Sequence, residues 1–90
     1  MSVEVRIPTI LRPYTGGDKI VSGEGGDLRA LSADLDSRFP GIGERLVDEQ
    51  GLRRFVNVYL NDEDVRFLGG LDTAVADGDS VTILPAVAGG

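Results

Sequence analysis

One stripe of apolar side chains constrains this chain more than any other feature. Leu28, Leu31, Leu35 and Phe39 recur at spacings of three and four, which places them along one face of a single amphipathic helix. Arg29, Ser32, Asp34 and Asp36 fall mostly on the other side. Asp27 is positioned as the N-cap, because its carboxylate can accept from the orphan N–H groups of the first turn. Pro40-Gly41 stops the helix through a ring clash followed by a permissive residue. A lone one-sided helix has to bury its stripe against another layer, so the rest of the chain must supply that layer.

The remaining segments read as strands. Val3, Val5 and Ile7 alternate with Glu4 and Arg6, the period-2 pattern of a half-buried strand, and Pro8 stops it. Residues 11–17 carry turn and breaker types, and residues 19–22 are expected to form a short strand that pairs with the first as a long-looped hairpin. Residues 23–26 read as a turn, and residues 44–47 as one further helical turn. The β-branched and aromatic run at 55–60 predicts a strand. Residues 61–64 turn the chain into a short strand expected at 65–67, and Gly69-Gly70 breaks it. Residues 71–75 read as a short helical or irregular connection, Asp77-Gly78-Asp79 as a turn, and residues 81–84 as a last strand ended by Pro85.

Strands interrupted by one helix imply an α+β domain, a mixed sheet with the main helix packed across one face. This is the β-grasp, or ubiquitin-like, arrangement, expected over residues 1–85, with an extended and flexible tail at 86–90. Its core face would hold Val3, Val5, Ile7, Val56, Val58, Leu60, Val81 and Ile83. Alternation then sends Thr82 and Leu84, and likewise Phe55 and Tyr59, to the outer face. With Pro85 beside them these apolar groups are candidates for partner docking, although single exposed apolar residues are also ordinary on a protein surface.

Composition narrows the chemistry. The chain has no Cys and no His, which excludes disulfides, thiolate nucleophiles, imidazole bases and the usual zinc sites. Charged residues at 27% and hydrophobic residues at 41% are ordinary for a folded domain. A net charge of −6 disfavours a phosphate-backbone ligand, so no nucleic-acid partner is expected, and it would suit a partner with a basic docking surface. No apolar run approaches the ~18 residues needed to cross a bilayer, and the first residues lack the pattern of a signal peptide. A cytoplasmic protein without a membrane partner is the expectation. Gly23-x-Gly25-Gly26 lacks the Gly-Lys-Ser/Thr of a phosphate loop, and the acidic turns at 62–64 and 77–79 lack the remaining ligands of a calcium loop. No catalytic or metal-binding residue is assigned.

The specific feature is the end of the chain. After the last strand and Pro85 come Ala86, Val87, Ala88, Gly89 and Gly90. Fully extended, five residues reach roughly 17 Å, enough to thread a narrow channel. Glycine at the tip lets a nucleophile and a partner's backbone approach the acyl carbon closely.

The run from Asp77 through Pro85 to Gly89-Gly90, with Ile7-Pro8-Thr9-Ile10-Leu11-Arg12-Pro13 and the stretch from Arg54 to Phe67, resembles the ubiquitin-like sulfur carriers of the MoaD/ThiS type. The likeness spans essentially the whole chain, with residues 43–52 the least similar. Within the family it is most similar to the actinobacterial carriers for cysteine biosynthesis. The resemblance implies a carrier rather than an enzyme, with no bound cofactor. Its Gly90 carboxylate would be adenylated with ATP by an E1-like partner and converted to a thiocarboxylate. Ala86, Val87 and Ala88 would thread the partner's active site, and Leu84, Pro85, Tyr59 and Phe55 would dock it. A cysteine synthase or another sulfur-inserting enzyme would accept the sulfur, and a metalloprotease could release the product. A ubiquitin-like modifier forming isopeptide bonds, or the small subunit of a molybdopterin-synthase-like complex, would share the same terminal features.

Overall fold

The computed structural model describes residues 2–49, 51–53 and 56–85. Strand β1 (Val3–Arg6) alternates as its sequence requires: Val3 and Val5 are fully buried while Glu4 and Arg6 face solvent. Ile7 continues inward, and its N–H donates to the Lys19 carbonyl at 2.7 Å. Strand β2 (Ile20–Gly23) pairs antiparallel with β1, with Arg6 opposite Ile20 and Val5 opposite Val21.

The connection between them differs from the irregular turn expected at 11–17. Residues Thr9–Thr15 wind into a 3₁₀-helix that buries Leu11 and Thr15 and ends at Gly16 in the left-handed conformation, φ 66°. Breaker residues do not forbid this short winding. Pro13 lies inside it, since the fixed φ of proline suits a helical turn, and the Thr15 hydroxyl lies 3.2 Å from the Arg12 carbonyl and 2.9 Å from that of Asp18, so it closes the turn.

Helix α1 (Leu28–Arg38) matches its stripe. The Asp27 carboxylate accepts from the Ala30 N–H at 2.8 Å, and Leu28, Leu31 and Leu35 are buried, with Phe39 packed at the edge of the core. The helix sits close to the end of β2. A Cβ at Gly25 would lie 2.6 Å from the Leu31 backbone nitrogen, so this glycine is required by close approach. Below α1, the Asp36 carboxylate accepts from the N–H groups of Gly41 (3.1 Å) and Gly43 (3.0 Å), and so turns the chain into α2 (Ile42–Leu46). The helical turn expected at 44–47 thus begins earlier, at Ile42, which is fully buried. A small hairpin follows, β3 (Val47–Asp48) with β4 (Gly51–Leu52), and two-residue strands are too short to show a period in sequence.

Strand β5 (Val56–Leu60) turns at Asn61 (φ 48°) and Asp62 (φ 74°), the two positive φ values of a type I′ hairpin. That two-residue turn sets Leu60 opposite Glu63 and Tyr59 opposite Asp64, so β6 is Glu63–Asp64. The short strand expected at 65–67 is therefore displaced toward the turn. Val65–Phe67 is a 3₁₀ turn instead, because the Asp64 carboxylate accepts from the Arg66 N–H at 2.9 Å and bends the backbone away. A second such turn, Gly70–Asp72, falls at the start of the expected irregular connection. The last strand, β7, is Ser80–Pro85 and includes Pro85.

Among the described residues the main sheet runs β2-β1-β7-β5-β6, with β1 and β7 parallel and the other pairs antiparallel. The expected mixed sheet and its covering helix are thus present. Of the eight expected core residues seven are buried; Leu60 is only partly buried, because it adjoins the exposed Asn61-Asp62 turn. Further core side chains come from segments without a clear period: Leu11, Ile42, Leu46, Val65, Leu71 and Val75.

Two outcomes follow for stability. Gly25→Ala is expected to destabilise by about 1–3 kcal/mol, the usual cost of forcing an atom into a packed contact. A shifted urea midpoint at unchanged m-value would show it. Asp79 caps the turn before β7: its carboxylate accepts from the Ala76 N–H at 2.8 Å and from the Asn61 side chain at 3.1 Å. These bonds, the Ala76 one first, hold its pKa below the usual carboxylate value. The bonds therefore stabilise the fold above about pH 3.9, the unfolded value, and that contribution is lost as the pH falls through the lower folded value. Asp79→Asn should flatten the stability profile below about pH 4 in acid titrations followed by circular dichroism.

Candidate functional site: the tail pole

Strand directions decide what surrounds the start of the tail. Because β1 and β7 are parallel, both end at one pole, with Ile7 and Pro8 beside Leu84 and Pro85. β2 and β5 run the opposite way, so their beginnings at Ile20 and Val56 reach the same pole, with Lys19 and Arg53 near them. Within β7, Val81 and Ile83 are buried, Thr82 is half-buried, and Leu84 and Pro85 are exposed. Pairing with β1 ends at Thr82 while pairing with β5 continues to Val56 opposite Pro85, so the missing N–H of Pro85 falls where one neighbour has already stopped.

Among the sequence-derived docking residues, Leu84 is exposed at 43% and Pro85 lies beside it. Tyr59 is half-buried, opposite Thr82 in the row that continues through Arg6 to Ile20, and does not line either groove beside Leu84. The residue opposite Leu84 is Asn57. Its side-chain oxygen accepts from Arg66 at 2.6 Å, and the same guanidinium donates to the carbonyls of Val56 (2.6 Å) and Arg53 (3.0 Å). Arg66 thereby ties the start of β5, and Arg53 before it, to the 3₁₀ turn at Val65–Phe67. Phe55, Ala86, Val87, Ala88, Gly89 and Gly90 lie outside the described residues.

Two grooves flank Leu84 and Pro85, and sequence reasoning had not identified either. One, of about 450 Å³, lies between Pro8, Ile10, Arg45, Arg53 and Val56. The other, of about 460 Å³, lies on the outer sheet side between Arg6, Ile10, Arg12, Lys19 and Ile20. Ile10 and Ile20 are exposed at 62% and 52%. The position of Ile20 was legible, since Val21 inward sends Ile20 outward. Ile10 sits on the 3₁₀-helix, where alternation carries no information. Arg45 is held against that helix, its Nε donating to the Tyr14 hydroxyl at 2.7 Å and its guanidinium lying 5.8 Å from the ring centre. Arg53 donates to the Glu44 carbonyl. Among the described residues no group of His, Cys, Asp or Glu is gathered to hold a metal, and no helix is long and apolar enough to cross a membrane.

The arrangement is a sheet end, closed by Leu84 and Pro85, that carries an apolar and cationic surface. Comparison with known proteins bears on the role of this pole. The model of the ThiS family matches residues 5–90. The sulfur carrier protein CysO of Mycobacterium tuberculosis is 64% identical, over 100% of both chains. A chain in the crystal structure of the Amycolatopsis orientalis BexX/CysO complex is 59% identical, covers 98% of this chain and 99% of its own, and superposes with a TM-score of 0.92. The small archaeal modifier protein 3 of Haloferax volcanii is 34% identical over 100% of both chains.

The opposite burial of two neighbours provides a check on the pole. Leu84→Asp should leave far-UV circular dichroism and the melting temperature nearly unchanged, because its side chain already meets water. Ile83→Asp, which would bury an unpaired carboxylate at a site 3% exposed, should unfold the domain.

Proposed function

The chain belongs to the ThiS family, and from that premise we propose that it is a sulfur carrier whose working group is the Gly90 carboxylate. The observation that carries this reading is the end-to-end 64% identity to a sulfur carrier protein. The tail pole supports it, since the five residues that follow Pro85 begin at an exposed sheet end and reach up to roughly 17 Å from it.

The chemistry follows from the electrophile. A carboxylate is anionic and resonance-stabilised, so it resists nucleophiles. An E1-like enzyme transfers AMP from ATP to the Gly90 carboxylate with release of pyrophosphate, which gives the acyl carbon a good leaving group. Hydrosulfide supplied by a sulfide donor then attacks that carbon, AMP departs, and a thiocarboxylate remains at Gly90. The terminal sulfur is a soft nucleophile. Tethered to residues 86–90, it enters an acceptor enzyme at high effective concentration without diffusing free. A cysteine synthase or another sulfur-inserting enzyme is the acceptor, and a metalloprotease releases product that stays attached to the tail. The partners hold the catalytic groups and the ATP; the carrier contributes reach and a docking pole.

The identity to an archaeal modifier protein supports a second use of the same adenylate, isopeptide bond formation with lysines of other proteins. Incubation with ATP, an E1-like enzyme and sulfide is expected to raise the intact mass by roughly 16 Da, one oxygen exchanged for sulfur. Deleting Gly90 should abolish that gain with the fold intact. A wild-type chain that is never adenylated by a cognate E1-like enzyme would sink the carrier reading, and lysine conjugates without thiocarboxylate would replace it with the modifier.

A further inference from the structure

Charge on this protein is segregated along the sheet. Arg6, Arg12, Lys19, Arg45 and Arg53 line the two grooves at the tail pole, and Glu44 is the one carboxylate among the lining residues described. The other described cations, Arg29, Arg38 and Arg66, share the remaining surface with the other fourteen of the fifteen carboxylates. Glu4 approaches the pole through an exposed ion pair with Arg6 at 3.4 Å. Asp62, Glu63, Asp77 and Asp79 sit in the turns at the far end of β5 and β7. Within the basic pole stand the exposed Ile10, Ile20 and Leu84.

We propose that the tail pole docks on a face of the activating enzyme that carries an acidic rim around an apolar seat. This deepens the carrier reading and rests on it. Ile10, Ile20 and Leu84 fill the seat, and the five cations meet the rim. The net charge of −6 alone points to the opposite partner, a basic one. Distance decides between the two. From Ser80 to Pro85, β7 rises about 3.3 Å per residue and spans roughly 17 Å between its end residues, which is about two Debye lengths at physiological salt. A surface in contact with the pole therefore meets the cations, while the far carboxylates are screened from it. An acidic seat also repels the far pole, so the protein arrives with its C-terminal end leading.

Lys19 is the sole lysine in the sequence and lies in the outer groove, which gives the proposal a direct readout. The test uses the full chain and the E1-like adenylating enzyme of the same organism. Zero-length carbodiimide coupling is expected to join Lys19 to an Asp or Glu of the enzyme. The double variant Arg6→Glu/Lys19→Glu should associate about 10-fold or more slowly than wild type at about 50 mM salt, with the gap closing at high salt. Asp62→Lys/Glu63→Lys, at the far pole, should stay within about twofold of wild type, and circular dichroism should show all of these variants folded. The proposal is overturned if Lys19 stays uncoupled while Asp62 or Glu63 couples to lysines of the enzyme, if the pole variant associates at the wild-type rate, or if wild type does not bind. Mass measurement on the same samples separates the two ideas. Sulfur gained by wild type with charge-insensitive association removes the acidic seat and leaves the carrier. Salt-sensitive binding at Lys19 without any adenylation keeps the seat and removes the carrier.

Discussion

The parallel pairing of β1 with β7 is the contact on which the rest of the structure depends. Glu4, Val5 and Arg6 lie beside Ser80, Val81 and Thr82, so the two ends of the chain form the centre of the sheet. Parallel neighbours cannot be joined by a hairpin, so everything between them must leave the sheet and return. That excursion includes α1, whose Leu28, Leu31 and Leu35 close the face that Val5 and Val81 open. The pairing also aims both strands at one pole, so Pro8 and Pro85 end side by side there.

The two faces of β7 divide the work. Its inward residues, Val81 and Ile83, are locked into the core, so the strand end is held rigidly relative to α1 and β5. Its outward residue Leu84 is left exposed. The same geometry concentrates the cations: the end of β1, the start of β2 and the segment before β5 each bring basic residues to a pole that the acidic turns of the opposite end never reach. An acidic protein thereby carries a basic pole.

Legibility followed the length of the local pattern. The helix stripe, the Asp27 cap and the alternation of β1 were readable because each repeats within a few residues. The short strand after Asn61-Asp62 was misplaced because register there is set by positive φ at two non-glycine residues, a turn geometry that the residue types allow but do not announce. The small hairpin of β3 and β4 and the 3₁₀-helix at Thr9–Thr15 carry too few residues for either period to show. Of the docking candidates, Leu84 and Pro85 stand at the pole. Tyr59 is half-buried and lines neither groove, because alternation tells which face a residue takes and not how far its neighbours cover it.

The sequence by itself determined the available chemistry and the layers. A chain with no Cys and no His has neither thiol nor imidazole chemistry, and one apolar helix stripe among period-2 segments requires a sheet to cover it. Only the tertiary structure decided which residues gather around the end of β7. Periodicity is a property of neighbours in the chain, whereas the tail pole joins Arg6, Lys19, Arg45, Arg53 and Leu84, which meet only when residue 5 pairs with residue 81. Net charge, likewise, is a sum over the chain, and a partner in contact feels only the part of it within a screening length.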